Sequence, residues 1–332
     1  MKKYVSLILV LCVILLSFCS CSRNVYPLSS TQIMMDTVVT IRLYDGTDDV
    51  LSGAMKLCKR YENLLSRTVE DSDIYKINHS NGQPVEVSDD TAELLRTALD
   101  IAEKSNGAFD PTVLPLVELW DVTNSKTVPP ITEIQTALQS VGYKSVVLNG
   151  NTVTLKNGAR LDLGGIAKGF IADKLKIYLK ENGVKSAIIN LGGNTLLVGD
   201  KNGNDFSVGV QKPFGKQNEL SATVYISDKT AVTSGVYQRY FEQDGKIYHH
   251  IIDPKTGHPT DNGISAVTVL TDSSTIADGL STACLILGIE KGTELAKQYG
   301  AELIFIDESG KITLTNGLNR ESDNQDIIIK FK

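Results

Sequence analysis

Three stretches of the sequence combine residue types suited to phosphate and divalent-cation chemistry. In Asp278-Gly279-Leu280-Ser281-Thr282 a carboxylate and a hydroxyl stand at i and i+4, on one face of a helix. Two such oxygens suit a hard cation like Mg²⁺, which takes one or two protein ligands and completes its shell with water and substrate phosphates. An ordinary helix with an acidic residue near its start fits the pattern too. In Asp162-Leu163-Gly164-Gly165-Ile166-Ala167-Lys168-Gly169 an apolar entry meets two glycines and then an apolar-periodic segment from Phe170 to Leu179. That order predicts a strand, a tight turn and a helix start. The glycines let backbone N–H groups approach a ligand at the positive end of the helix dipole. Lys168 in the first turn opposes that dipole, so an anion between them, most simply a phosphate, reconciles the two charges. A Gly-rich connector with a snorkelling lysine is the structural alternative. The third stretch, Tyr248 to Gly257, carries His249 and His250 on a predicted strand that ends in an Asp253-Pro254 turn. Neighbours on a strand face opposite sides, so one of the two can enter a given cleft. As a general base it needs a pKa near neutrality and reach to a substrate hydroxyl; a structural strand histidine is the other possibility.

The surrounding pattern says what must position these groups. Val38 to Leu43 alternates and reads as a strand. Asp49 to Leu65 carries apolar residues at helical spacing. Ser88 is an N-cap with Asp89 and Asp90 in the first turn of a helix that runs to about Lys104, and Gly107 stands near its C-terminal cap. Thr132-x-x-Gln135 predicts a capping box for a short helix to Ser140. Asn149-Gly150 between two apolar runs predicts a hairpin. Strands are expected over 186–190, 206–210, 222–226, 247–252 and 264–270, helices over 275–287 and 292–298, and a hairpin of 303–306 against 311–314. Strand pairs joined by tight turns and interrupted by helices indicate an α+β fold, not a regular βαβ series.

The ends and the composition bound the rest. Met1-Lys2-Lys3 followed by an apolar run from Val5 to Phe18 predicts a signal peptide over 1–20. Ser20-Cys21 behind it is similar to a bacterial lipobox, so Cys21 is the expected lipid-anchored residue on the extracytoplasmic face of the cell membrane. Residues 21–30 are then a tether and 31–332 the folded domain. Cys58 and Cys284 lie in apolar-periodic segments and read as buried thiols, not a disulfide. The four histidines and five cysteines form no zinc spacing. A net charge of −6, from 33 basic and 39 acidic residues, argues against nucleic acid as a partner.

Met35-Asp36-Thr37, Gly107-Ala108-Phe109-Asp110-Pro111-Thr112, the Asp162 to Gly169 stretch, His249 to Gly257 and Ala277 to Ala283 follow one another in an order and spacing that resemble the ApbE-type FAD:protein FMN transferases. The resemblance covers nearly the whole chain beyond the leader. It implies two packed antiparallel sheet-and-helix halves with FAD held between them. It also implies Mg²⁺ held by the Asp278 carboxylate, the Thr282 hydroxyl and the Gly165 carbonyl. Met35, Thr68, Ala108, Phe109, Asp110, Asp162, Lys168 and Ile252 fall at FAD-contacting positions, and His250 where a base takes a threonine proton. Thr68 stands where the family often has an aromatic residue, and Asp36 where glycine is common. The implied reaction splits FAD at its pyrophosphate, links FMN to a threonine of an acceptor protein and releases AMP. The implied acceptors are membrane redox-complex subunits or FMN-binding-domain proteins. A metal-dependent FAD pyrophosphatase would use the same site, and a flavin-binding lipoprotein without chemistry is a reading of another class.

Overall fold

A computed structural model describes residues 27–216, 218–318 and 328–331. Strands β1 (Leu28–Met34) and β2 (Thr37–Leu43) lead into helices α1 (Asp48–Leu65) and α2 (Asp73–Asn78). The short strand β3 (Val85–Glu86), α3 (Asp89–Lys104), α4 (Leu114–Trp120) and α5 (Ile131–Leu138) follow. Next come β4 (Val146–Asn149), β5 (Thr152–Leu155), α6 (Ala167–Glu181), β6 (Ala187–Leu191), β7 (Asn194–Val198), β8 (Phe206–Gln211), β9 (Leu220–Ile226) and β10 (Thr230–Gly235). The chain continues through β11 (Tyr240–Gln243), β12 (Lys246–His249), β13 (Ile264–Thr271), α7 (Ser274–Gln298), β14 (Glu302–Asp307), β15 (Ile312–Leu314) and β16 (Ile328–Phe331).

Eight strands form one antiparallel sheet in the order β1-β2-β6-β7-β10-β13-β14-β15. It is two four-stranded halves fused where Thr230–Val232 of β10 pair with Asn194–Leu196 of β7. Helices α1 and α6 cover the first half and α7 the second, so the two-halved α+β expectation holds, with a shared sheet as the seam. On the helical face Val39, Ile41, Ile189, Val267 and Phe305 pack against Cys58, Leu175, Leu280 and Cys284 in the main core. The opposite face carries Leu197, Ala266, Leu270 and Ile304 onto Phe206, Val224 and Ile226 of the β16-β9-β8 sheet. Strand β13 is therefore covered on both faces, which is why its sequence, Ile-Ser-Ala-Val-Thr-Val-Leu-Thr, is apolar without clean alternation. The first part of α7 is buried nearly all round for the same reason; beyond Leu287, Gly288 (φ 75°) kinks the helix. Burial pushes the thiols of Cys58 and Cys284 up to about 12, and the two are not bonded. Among the described residues no helix is long and apolar enough to cross a membrane.

Several local expectations are corrected. The helix after Pro129-Pro130 starts at Ile131 with Pro130 as its cap residue and no side-chain cap, so Thr132 is already inside it and the capping box does not form. The strand expected over 247–252 stops at His249; His250 lies in a bend, and Ile252 makes a single bridge with Pro259. Leu28 to Ser30, expected in the tether, instead form the start of β1, paired with Ile41 to Leu43. Residues 1–20 and Cys21 lie outside the described residues. The β1–β2 hairpin carried no Asn-Gly signal, because its two-residue turn is Met35-Asp36, with φ of 52° and 55°. Those values match a type I′ turn, in which glycine and asparagine are favoured.

The β6–β7 turn packs against this hairpin. Gly192 has φ 63°, and a Cβ there would lie 1.9 Å from the Thr37 hydroxyl oxygen. Gly192→Ala is therefore expected to cost roughly 1–2 kcal/mol for the left-handed backbone and about 1–3 kcal/mol for overpacking. A denaturant midpoint equal to that of the wild type would contradict this packing.

Candidate functional site

The segment before α6 is extended, yet no sheet holds it. Asn78, at the end of α2, donates to the Leu161 carbonyl at 2.9 Å and accepts from the Leu161 N–H at 2.6 Å. The Asp162 N–H donates to the Pro111 carbonyl at 2.8 Å, and Arg160 makes one parallel bridge with Val113. Side-chain clamping thus replaces the predicted strand. Asp162 then accepts from the Gly164 N–H at 2.7 Å and turns the chain into α6, while its other oxygen lies 3.4 Å from the Arg67 guanidinium. Arg67 and Arg160 also share Glu118, at 3.7 and 2.6 Å, so a half-exposed ion-pair chain rims this entry.

Helix α6 has no side-chain N-cap. Its Gly169 N–H donates instead to Oδ2 of Asp278 on α7, at 2.8 Å, and the Lys168 ammonium lies 4.0 Å from the same oxygen. Lys168 also donates to the Gly164 carbonyl at 2.9 Å. The anion that the sequence placed between lysine and helix dipole is, in this structure, the carboxylate of Asp278. The two helices touch at Gly169, where a Cβ would stand 2.1 Å from the Ser274 carbonyl oxygen and 2.8 Å from the Asp278 Cβ.

Asp278 is 4% exposed, and its Oδ1 has no hydrogen-bond partner among the described residues. The Thr282 hydroxyl, one turn on, sits 3.5 Å from the position a Cβ would take on Gly165, and the Phe109 ring comes within 3.3 Å of that point. Phe109, Gly165 and Thr282 are thus one contact, with Asp278 a turn below. No cluster of three His, Cys, Asp or Glu side chains suited to a metal occurs among the described residues. A cation here would therefore bind one carboxylate and neutral oxygens, a donor set that fits Mg²⁺ completed by phosphate and water.

The two histidines divide as their environments require. His249 is 5% exposed; its Nε2 donates to the Thr260 carbonyl at 2.9 Å while its Nδ1 accepts from the Ile251 N–H at 3.2 Å. Those bonds fix one neutral tautomer and a structural role. His250 is half-buried, with Nδ1 donating to the Arg239 carbonyl at 3.2 Å, which leaves the Nε2 lone pair for another proton. Burial first, then the charge of Arg239, holds its pKa down to about 4, with His249 and Lys168 adding to the effect. The field of Lys168 at His250 puts the two in electrostatic reach, although the pKa lies below the near-neutral value expected of a base.

Other residues at the expected contact positions also carry structural bonds or packing. Both carboxylate oxygens of Asp110 accept hydrogen bonds: one from the Thr112 N–H and hydroxyl at 2.8 and 2.6 Å, the other from the distant Tyr143 N–H at 2.8 Å. Burial nonetheless raises its pKa. Ala108 is buried, and Ile252 belongs to a satellite core with Leu116, Trp120, Ile134 and Phe241. Met35 is tied to α1 by its N–H to Glu62 at 2.8 Å, and Thr68 is exposed on the loop after α1, bonded to Ser66. Sequence reasoning missed Arg67, Glu118 and Asn78, because each acts on a partner far along the chain, and Arg239, which meets His250 across a hairpin.

The sequence profile of the ApbE family matches residues 35–305. The chain belongs to the ApbE family. It is 35% identical over 300 residues to the FAD:protein FMN transferase of Klebsiella pneumoniae (strain 342), covering 89% of this chain and 93% of that one. With the FAD:protein FMN transferase of Treponema pallidum (strain Nichols) it shares 34% over 325 residues, 90% of each chain. The crystal structure of the ApbE protein from Thermotoga maritima superposes with a TM-score of 0.81 at 32% identity, covering 87% of this chain and 97% of that one. The flavin transferase ApbE from Vibrio cholerae superposes with 0.79 at 27% identity and the same coverage. The matched span contains every site residue from Met35 to Thr282, so the ApbE family and the α6–α7 geometry describe the same region.

His250 makes stability depend on pH. The unfolded chain takes up a proton near 6.5 and the folded one only near 4, so stability is present above 6.5 and falls as the pH drops towards 4. His250→Gln should lose less stability than the wild type between pH 7 and pH 5, measured by denaturant midpoints. Equal losses would remove this assignment.

Proposed function

We propose that this ApbE-family chain transfers FMN from FAD to a threonine hydroxyl of an acceptor protein, in a Mg²⁺-dependent reaction that releases AMP. The observation that carries the reading is the cluster at the head of α6: an unpartnered Asp278 oxygen, the Thr282 hydroxyl and Gly165, beside the Lys168 ammonium. The names of the relatives, FAD:protein FMN transferase, supply the reaction class.

Asp278, Thr282 and the Gly165 carbonyl would hold the metal. When bound, Mg²⁺ supplies charge neutralisation on the pyrophosphate and on the leaving AMP. Lys168, drawn from Gly164, neutralises a phosphate oxygen from the same side. His250 Nε2 takes the threonine proton as the threonine oxygen bonds to the FMN-side phosphorus. The bond from that phosphorus to the bridging oxygen breaks, and AMP leaves with that oxygen. His250 is neutral at physiological pH and so free to accept the proton. The negative charge of two phosphates beside it raises its pKa towards the range in which a base works best. His249 takes no part, because both of its nitrogens are committed.

We also read Cys21 as lipidated and the domain as held on the extracytoplasmic face of the membrane, on the strength of the apolar leader and Ser20-Cys21. Intact-mass analysis of the membrane fraction should show a diacylglyceryl Cys21 as the first residue. An unmodified N-terminus elsewhere would end that reading.

The activity is tested by incubating the protein with FAD, Mg²⁺ and a threonine-bearing FMN-domain protein, followed by in-gel flavin fluorescence and measurement of AMP. Covalent flavin on the acceptor with stoichiometric AMP is the expected result; free FMN with AMP would indicate a pyrophosphatase, and bound but intact FAD a carrier. Asp278→Ala should abolish transfer while circular dichroism stays unchanged, since it removes the site's anionic ligand. His250→Ala should bind FAD yet transfer about 10² to 10⁴ more slowly. Undiminished transfer in EDTA would take the metal out of the mechanism.

A further inference from the structure

One carboxylate outside the proposed ligand set grips the helix that carries that set. Asp173 lies on α6, four residues after Gly169, and points at the first turn of α7. Its Oδ1 accepts from the Ser274 N–H at 2.9 Å. Its Oδ2 accepts from the Thr275 N–H at 2.9 Å, the Thr275 hydroxyl at 2.7 Å and the Ser273 hydroxyl at 2.9 Å. Ser273 is the N-cap of α7 and accepts from the Ile276 N–H at 3.4 Å, so Asp173 also orients the cap. A carboxylate at a helix N-terminus is favoured by the dipole, and charge-assisted bonds to it are stronger than neutral ones.

The placement matters more than the number of bonds. Asp173 and Gly169 are one turn apart on α6; Ser274 and Asp278 are one turn apart on α7. The helices are therefore tied at two successive levels, Asp173 to Ser274 and Gly169 to Asp278. Between the ties, contact is backbone-close, because Ser274 fills the space a side chain on Gly169 would take. A slide or rotation of α7 by a fraction of a turn would break the Gly169 bond, swing Oδ1 of Asp278 away and carry Thr282 off Gly165. Lys174, the next residue, anchors the same turn of α6 to α3 through Asp90 at 3.1 Å and Glu93 at 2.8 Å, so the gripping side is itself held.

We propose that Asp173 is a positioning residue that sets the register of α7 against α6 and thereby the geometry of the Asp278–Thr282–Gly165 oxygen set. This role rests on the metal reading above. It touches neither substrate nor metal, and it acts through the first turn of α7.

The test is Mn²⁺ binding in the presence of FAD, followed by electron paramagnetic resonance of the free ion, on the full chain and without an acceptor. Asp173→Ala should weaken Mn²⁺ binding by about 10- to 100-fold, the range seen when outer partners of metal ligands are removed. Asp173→Asn, which keeps one acceptor oxygen, should fall between the two, and decides the matter alone if the alanine variant does not fold. Ser88→Ala removes the N-cap of α3, on a helix that contributes no ligand; it should lower the melting temperature while leaving Mn²⁺ affinity within about twofold of the wild type. Unshifted affinity in a folded Asp173 variant, or an equal shift in Ser88→Ala, overturns the role of Asp173 and leaves the metal reading standing. A wild type that binds no Mn²⁺ overturns both.

Discussion

The structure depends on the approach of α6 to α7 at Gly169. The two helices come so close there that the Ser274 carbonyl occupies what would be side-chain space. That approach lets a backbone N–H of one helix reach a carboxylate of the other, and it explains how α6 does without a capping side chain. Asp278 satisfies the helix end and is fixed by it, so a single bond serves both secondary structure and the orientation of the carboxylate. A buried carboxylate would be costly without such donors. With one oxygen bound and the other unpartnered, Asp278 is held in one orientation while keeping capacity for a cation.

The surroundings extend the same logic outward. The Asp162 turn brings Gly164 and Gly165 to the head of α6, and its own backbone is clamped by Asn78 and Pro111. The His249 bonds lock the end of β12, so that His250 leaves the strand with its Nδ1 on the Arg239 carbonyl. The Trp120 indole donates to the Gly257 carbonyl at 2.7 Å, which pins the loop that follows. Each chemical group is thus held by a neighbour whose own bonds are complete, the arrangement that keeps a site geometrically defined.

Much of this was legible in the sequence where the signal is local. The helices 48–65 and 89–104 announce themselves by period and, for the second, by Ser88 and its acidic first turn. The i, i+4 relation of Asp278 and Thr282 put both on one helix face, and motif order named the family. What the sequence did not show was non-local. Asp110 stands at a ligand-contacting position by motif, but nothing local shows that Tyr143, 33 residues away, also binds its carboxylate. The Met35-Asp36 turn is held by sheet pairing and by Glu62 against its own backbone preference, so no turn signature marks it. Lys168 suggested an anion at the helix head, and that Asp278 of a distant helix lies beside it is a contact no local pattern shows.

The seam of the sheet has a consequence for how the molecule comes to be. The oxygens of the site belong to opposite sides of the β7–β10 junction, Gly165 on one and Asp278 and Thr282 on the other. Pairing β7 with β10 joins Asn194 to Val232, a shorter span of chain than the Val39–Leu191 pairing inside the first half. Loop-closure entropy therefore makes the seam no costlier to close than the first half itself. A chain with only one half folded lacks either Gly165 or the Asp278–Thr282 pair. A ligand held from both sides would add its binding free energy to the seam itself.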